Sequence, residues 1–316
     1  MQTEQSPPPP LVESLLSAAG LPGRPESVVM LGESSNRVWK LSIGGSEYVL
    51  RERLDGSPTM LVKEAYLSDL LAHHDVPAPR ILATVAAERI GTLTTFAEGL
   101  TLGRALEVLS PDDLAAAWRS TGEALRRAHE IDQPVAGEIV GDRIEPFAGG
   151  WATWASEDVA DTLGWLRERI GMPALREEAG RFSRDMQSVL ADAPIRLIHN
   201  DLLPQNIMVA PGPDGWRCTG LLDWEFARAG DPRWDLATLD LRPAELVPPA
   251  FYEGYGERPA EPHATIYEVL AMAWKTKAQL QGLGDWWWTP LNARLAYVAN
   301  LERHLARAVP PLPTQL

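Results

Sequence analysis

The chain has 316 residues, of which 45% are hydrophobic, and it carries a formal net charge of −14 at pH 7. This length is sufficient for a substantial core in one protein of two lobes or two domains. The acidic balance argues against nucleic acid or a membrane surface as partners, because both select for Lys and Arg patches, and it suits a cationic ligand. A single cysteine, Cys218, excludes an intramolecular disulfide and a Cys-rich zinc site.

The N-terminus, "MQTEQSPPPP", has neither the basic start nor the apolar stretch of a secretory signal. Its composition predicts a disordered, proline-rich tail over residues 1–10. No apolar run approaches transmembrane length. We therefore expect a cytoplasmic protein with no membrane partner.

Residues 11–98 carry the pattern of a small α+β lobe. A short amphipathic helix is predicted over residues 11–19 and a longer one over residues 59–74, which ends before two prolines. Alternating apolar residues and turn signals predict strands over residues 27–31, 37–43, 47–54, 81–87 and 92–96. The expectation is a five-stranded antiparallel sheet with one main helix, and a hinge at residues 96–99, where Gly99 interrupts the pattern.

The main helix of this lobe has an acidic residue on its inward face. Helical spacing places Met60, Glu64, Leu67 and Leu71 on one stripe. A carboxylate on an apolar stripe is costly without a partner, and the adjacent strand 47–54 supplies Arg51. We therefore predict an ion pair between Glu64 and Arg51; the alternative is a solvated Glu64 at the edge of the stripe.

A second cluster of polar residues follows residue 195. Strands are predicted over residues 195–198, 206–209 and 218–222, the last two joined by a turn at 211–215. In such a hairpin Asn206 and Asp223 meet at the open end, and a short loop brings Asp201 to the same place. An amide oxygen and carboxylates that converge in this way suit Mg²⁺, which takes few protein oxygens in phosphoryl transfer.

The spacing of His199, Asp201, Asn206 and Asp223 follows the kinase pattern H-R-D-x-x-x-x-N with a later D-F-G aspartate. Together with the downstream "GDPRWDLA", it resembles the aminoglycoside phosphotransferase family of small-molecule kinases. This resemblance implies a protein-kinase-like, two-lobe α+β fold, with a larger, mostly helical lobe over residues 99–316 that carries the catalytic hairpin. It also implies ATP or GTP and Mg²⁺ as cofactors, and a small-molecule hydroxyl as acceptor.

The resemblance assigns a role to each candidate residue. Asp201 orients or accepts the acceptor's proton, His199 braces the catalytic loop, and Asn206 and Asp223 hold Mg²⁺. Arg51, oriented by Glu64, takes the place of the lysine that the family uses to neutralise phosphate charge. The nucleotide would be covered by a loop with Ser34, Ser35 and Asn36, and its base would lie at the hinge, at Phe96 and Glu98.

Several other residues are predicted to be structural. His129 is expected to be packed, Asp231 structural, and Asp235 a cap that ties down its loop. Arg228 and Arg233 are expected in surface ion pairs; the alternative is that they steady the transferred charge. Helices are predicted over residues 149–190, 245–256, 265–281 and up to 309. Two roles remain open for Trp151, Trp154 and Trp165: packing between helices or contact with the acceptor. For the run Trp286 to Trp288 the alternatives to packing are stacking on a sugar or a dimer contact.

The acceptor is the open part of this interpretation. The acids that would suit a polycation such as an aminoglycoside are Asp240, Glu245, Glu253, Glu257 and Glu261. Macrolide or hygromycin-like antibiotics, and metabolites such as choline, homoserine or a sugar, remain alternatives, because the fold does not select the acceptor. A non-catalytic pseudokinase is the remaining alternative, and either a monomer or a homodimer fits the sequence.

Overall fold

The computed structural model has the predicted two-lobed α+β architecture. It describes residues 6–33, 36–54, 58–170, 182, 184–240, 247–282 and 303. Ser34, Ser35, the tryptophans at 286–288 and, apart from residue 303, the predicted last helix up to residue 309 lie outside these residues. No helix within these ranges is long and apolar enough to cross a membrane.

The smaller lobe, called the N-lobe below, is one antiparallel sheet with two helices. Its elements are α1 Pro9–Ala18, β1 Ser27–Glu33, β2 Asn36–Ile43, β3 Ser46–Arg53, α2 Pro58–His73, β4 Ile81–Ala86 and β5 Ile90–Thr95. The strand order is β1-β2-β3-β5-β4, and every neighbouring pair is antiparallel. The predicted five strands and main helix are confirmed.

Helix α1 begins at Pro9, two residues before its predicted start. Proline is well suited to the first turn of a helix, where its missing N–H would have no partner. Leu11, Leu15 and Leu16 are buried against the sheet. Residues 9 and 10 therefore belong to the helix and not to the predicted tail.

The inward face of α2 differs from the predicted stripe in its first half. Leu67 and Leu71 are buried as expected, but Met60 is only half-buried and Lys63 is 95% buried (5% exposed). The reason is that Lys63 faces a loop of the other lobe, where a polar partner is available. The ammonium of Lys63 donates to the main-chain oxygen of Glu225 at 2.7 Å.

The larger lobe, called the C-lobe, begins after the hinge. Its elements are β6 Leu100–Thr101, α3 Leu102–Val108, α4 Pro111–His129, β7 Gly137–Val140, β8 Arg143–Pro146, α5 Gly150–Ile170, β9 Arg196–Ile198, β10 Ile207–Gly212, β11 Gly215–Leu221, β12 Arg228–Gly230, and the helices Arg233–Asp240, Pro249–Tyr255 and His263–Leu280. Two small sheets, β11-β10-β6 and β8-β7-β12-β9, lie among these helices.

Helix α4 is the centre of this lobe. Ser110 caps its first turn by accepting from the N–H of Asp113, and the basic residues of its last turn complement the helix dipole. It crosses the helix Pro249–Tyr255 at a close approach between two glycines: a Cβ at Gly122 would lie 2.1 Å from the Phe251 carbonyl oxygen, and one at Gly254 would lie 1.9 Å from that of Arg119. Only glycine permits this packing of the two backbones.

The predicted catalytic hairpin is formed by β10 and β11. Ile207 pairs with Leu221 and Gly212 with Gly215, so the strands extend further than predicted and the turn is correspondingly shorter. Strand β6 pairs with β10 on its other side, which attaches the hinge directly to the hairpin. Gly99 adjoins this contact at φ 109°, and a Cβ there would lie 2.0 Å from the Val209 oxygen.

Cys218 lies inside this hairpin, as predicted, and is 5% exposed. Burial raises the pKa of its thiol to about 12, so the reactive thiolate is almost absent at neutral pH. We expect iodoacetamide to leave the native protein unlabelled at pH 8 over a period in which it fully labels the urea-unfolded chain, as read by intact mass. Rapid labelling of the native protein would contradict this burial.

Candidate active site

The predicted catalytic loop starts at His199, directly after strand β9. The His199 ring is fully buried, and its Nε2 donates to the carbonyl of Leu222 at 2.8 Å, while Nδ1 accepts from the N–H of Asp201 at 3.3 Å. Burial lowers the pKa of His199, which favours the neutral form that these two bonds require. His199 therefore occupies a bracing position and is not exposed to a substrate.

Asp235 anchors the same loop from the helix Arg233–Asp240. Its carboxylate accepts from the N–H groups of His199 at 2.6 Å and Asn200 at 2.8 Å, and pairs with Nε2 of His129 at 3.0 Å. Burial alone would raise the pKa of Asp235, but its hydrogen bonds, first of all that to His129, hold it below its usual value. The predicted tie is confirmed, although the N–H groups belong to the loop and not to the helix start.

His129 has the packed, structural position predicted for it. Its side chain is buried, with Nδ1 2.9 Å from the hydroxyl of Tyr255 and Nε2 on Asp235. The Asp235 carboxylate thus connects the end of α4 with the start of the catalytic loop.

Asp201, Asn206 and Asp223 converge at the open end of the hairpin, as the strand pairing predicted. Nδ2 of Asn206 donates to the main-chain oxygen of Asp201 at 3.0 Å and to its carboxylate at 3.3 Å. The main-chain carbonyl of Asn206 accepts from the N–H of Leu222 at 2.7 Å. Leu222 directly precedes Asp223, so this bond brings Asn206 and Asp223 together. Asp223 itself has φ 65°, in the left-handed region that Asp adopts more readily than most residues.

These oxygens fit a magnesium ion shared with phosphates. The bonds from Nδ2 of Asn206 to Asp201 orient Oδ1 of the same amide away from Asp201, and Asp223 adds a half-buried carboxylate. Within the described ranges, no group of three or more His, Cys, Asp or Glu side chains is placed to hold a metal by itself. The amide oxygen and the carboxylate suit a hard cation such as Mg²⁺, which would take its other oxygen ligands from phosphate and water.

The predicted ion pair across the N-lobe is confirmed. Nη1 of Arg51 lies 3.0 Å from Oε1 of Glu64, and it also lies 4.0 Å from the carboxylate of Asp223. The sequence interpretation assigned no partner to Arg53, whose Nη1 lies 3.0 Å from the same Glu64 oxygen and 3.7 Å from Glu225. Strand alternation, which places Arg53 on the same face as Arg51, was the signal for it.

The remaining nucleotide-site candidates surround the hinge and the start of β2. Asn36 is buried, and in the antiparallel register of β2 and β3 it lies opposite Arg53. Phe96 is half-buried, with the Lys40 ammonium 5.2 Å from its ring centre. Glu98 has an exposed side chain, and its carbonyl accepts from Thr219 at 2.6 Å.

Asp231, Arg228 and Arg233 lie deeper than predicted. Asp231 is fully buried, accepts from Nε of Arg233 at 2.9 Å and from the hydroxyl of Tyr267 at 2.6 Å, and is structural as expected. The Arg228 side chain is 17% exposed, pairs with Glu138 at 3.1 Å and stacks on Trp154. The predicted ion pairs of both arginines are confirmed, but their side chains are largely covered by the surrounding sheet and helices and do not lie on the open surface.

Most described aromatic and acidic candidates for acceptor contact have partners within the chain. Trp151 is buried and donates to Tyr267, and Trp154 stacks on Phe147 with ring centres 4.6 Å apart. Glu253 pairs with Arg119 at 2.6 Å, and Glu261 accepts from Thr265. Glu245 lies outside the described residues.

The model of the phosphotransferase enzyme family matches residues 29–271, which include both halves of this site. The chain belongs to this family. The resemblance found in the sequence is thereby confirmed, and the protein is a small-molecule phosphotransferase with a kinase fold.

Individual relatives agree with this placement. The phosphotransferase is 28% identical over 216 residues to streptomycin 3''-kinase of Streptomyces griseus, a match that covers 62% of this chain and 74% of the relative. It is similar in structure to a thermostable mutant of aminoglycoside phosphotransferase APH(4)-Ia in complex with ADP and hygromycin B, with a TM-score of 0.65 at 17% identity, covering 94% and 97% of the two chains. A candidate fructosamine-3-kinase of Haemophilus somnus gives a TM-score of 0.63 at 14% identity, covering 95% and 97%. The structural likenesses establish the fold.

Proposed function

We propose that the phosphotransferase transfers the γ-phosphate of ATP or GTP to a hydroxyl of a small molecule, most aptly an aminoglycoside-type antibiotic. The observation that carries this proposal is the convergence of Asp201, Asn206 and Asp223 opposite the Arg51–Glu64 pair. Phosphoryl transfer requires positioning and charge neutralisation more than covalent chemistry by the protein. This arrangement offers both.

Asp201 acts on the acceptor. Its carboxylate is half-buried, and one of its oxygens accepts from Nδ2 of Asn206 at 3.3 Å. In our proposal it receives or orients the proton of the acceptor hydroxyl as the oxygen attacks phosphorus. The loop that carries it is fixed by His199 and Asp235, so the carboxylate needs little reorganisation before reaction.

The phosphates are neutralised from two sides. Asn206 and Asp223 would hold Mg²⁺, which supplies positive charge to the phosphate oxygens when bound. Arg51, oriented by Glu64, supplies a guanidinium in place of the usual lysine. An Arg fork reaches two phosphate oxygens at once, which compensates for its greater bulk. The departure from lysine therefore agrees with catalysis and does not require a pseudokinase.

The aminoglycoside proposal rests on two supports. Streptomycin 3''-kinase, as named, acts on an aminoglycoside, and the match to it includes most of that enzyme. The net charge of −14 gives the protein a field that attracts polycations.

The test is Mg²⁺-dependent release of ADP from ATP, and of GDP from GTP, with a panel of acceptors. The panel contains streptomycin and other aminoglycosides, hygromycin B, a macrolide, choline, homoserine and simple sugars. We expect turnover with an aminoglycoside. Turnover with a metabolite alone would overturn the acceptor class and keep the chemistry, while nucleotide binding without turnover for any acceptor would favour the pseudokinase.

A further inference from the structure

Helix α2 of the N-lobe directs two adjacent charged side chains to different parts of the site. Glu64 contacts Arg51 and Arg53 on strand β3. Lys63, one residue earlier, extends across to the C-lobe and donates to the main-chain oxygen of Glu225 at 2.7 Å. These two residues are 162 positions apart in the sequence, so only the folded arrangement of both lobes brings them together.

A lysine at this position is not explained by packing. Lys63 is 5% exposed, and taking an ammonium out of water is costly, whereas a methionine would fill similar space without this cost. The burial is reflected in its pKa, which falls to about 8. The charged groups around it are Glu138, Glu225 and Arg228.

The acceptor of this hydrogen bond belongs to the loop that carries Asp223. The loop continues from Asp223 through the short turn Trp224–Phe226. Its next carbonyl, that of Phe226, accepts from Nδ2 of Asn200 in the catalytic loop at 3.1 Å. Two successive carbonyls are thus held from opposite lobes, Glu225 by the N-lobe and Phe226 by the C-lobe.

We propose that Lys63 is a positioning residue for the metal-binding carboxylate, because it fixes the Asp223 loop to the helix that also orients Arg51. This inference rests on the proposed function. Lys63 itself touches neither phosphate nor acceptor. It keeps Asp223 and Arg51 in one geometry, so that both neutralise the same phosphates.

The test compares Lys63→Met with Lys275→Met. Lys275 is a matched control, because its Nζ also donates to a main-chain oxygen, that of Thr238 at 3.0 Å, but between two helices of the C-lobe. The first readout is the affinity for a non-hydrolysable ATP analogue with and without Mg²⁺. The second is the hydrogen exchange rate of the amides of residues 222–227 in the free protein.

Mg²⁺ should raise the affinity for the ATP analogue about tenfold less in Lys63→Met than in the unmodified protein. This is the size of effect expected from losing one charge-assisted hydrogen bond. Affinity without Mg²⁺ and the melting temperature should be retained, and exchange in residues 222–227 should become faster. Lys275→Met should change neither readout. A merely structural role would lower the melting temperature and leave the Mg²⁺ dependence intact, which would overturn the proposal.

The two readouts separate this inference from the proposed function. If the unmodified protein binds no nucleotide, the kinase proposal fails, and the exchange rates still decide whether Lys63 holds the loop. Faster exchange in Lys63→Met alone would support the positioning role in that case. Unchanged exchange, or an equal change in Lys275→Met, would overturn it.

Discussion

Replacing Asp201 by asparagine is expected to lower kcat for phosphoryl transfer by about 10²–10⁴-fold, the range that a positioned general base contributes. Asparagine has nearly the same shape, and its side-chain oxygen can still accept from Nδ2 of Asn206, which lies 3.3 Å from the carboxylate. The loop should therefore keep its structure. The measurement is the rate of ADP release with the best acceptor of the panel.

The control for this variant is Asp192→Asn. Asp192 is exposed and lies before strand β9, outside the site, so its replacement should leave kcat unchanged. Nucleotide affinity should be equal in both variants, because the proposed phosphate contacts belong to other residues. A kcat of Asp201→Asn within a few fold of the unmodified enzyme would show that Asp201 is not the base.

Removal of the Asp235 carboxylate is expected to give the largest loss of stability. Asp235→Ala leaves the buried N–H of His199, the N–H of Asn200 and the ring of His129 without their acceptor. Breaking a buried charged network by removing one partner costs about 3–5 kcal/mol. We expect the free energy of unfolding, measured by urea denaturation, to fall by about this amount.

Asp192→Ala is the matched control for stability as well. An exposed aspartate outside any network should change the free energy of unfolding by no more than about 0.5 kcal/mol. If Asp235→Ala were as mild as this control, the hydrogen bonds of Asp235 would contribute little to the fold. Its position would then matter only for the geometry of the catalytic loop.

The family, the hairpin and the meeting of Asn206 and Asp223 at its open end were predictable from residue patterns alone. Alternation and turn residues define antiparallel strands, and an antiparallel pairing places Asn206 beside Asp223 whatever the rest of the chain does. The Arg51–Glu64 pair was predictable for a similar reason. A carboxylate on an apolar helical stripe requires a partner, and the adjacent strand offered one.

Contacts between distant parts of the chain were decided only by the tertiary structure. The short strands β7, β8 and β12 were not predicted from the sequence, and each of them is paired with another strand in the structure. The pairing of β12 with β7 also places Arg228 opposite Glu138 and leaves only 17% of its side chain exposed, which helical or strand periodicity cannot reveal. Lys63 likewise interrupts the apolar stripe of α2, because its partner is a backbone carbonyl of the other lobe. Local patterns specify which face of an element is apolar; which buried polar side chains find a partner depends on how the two lobes meet.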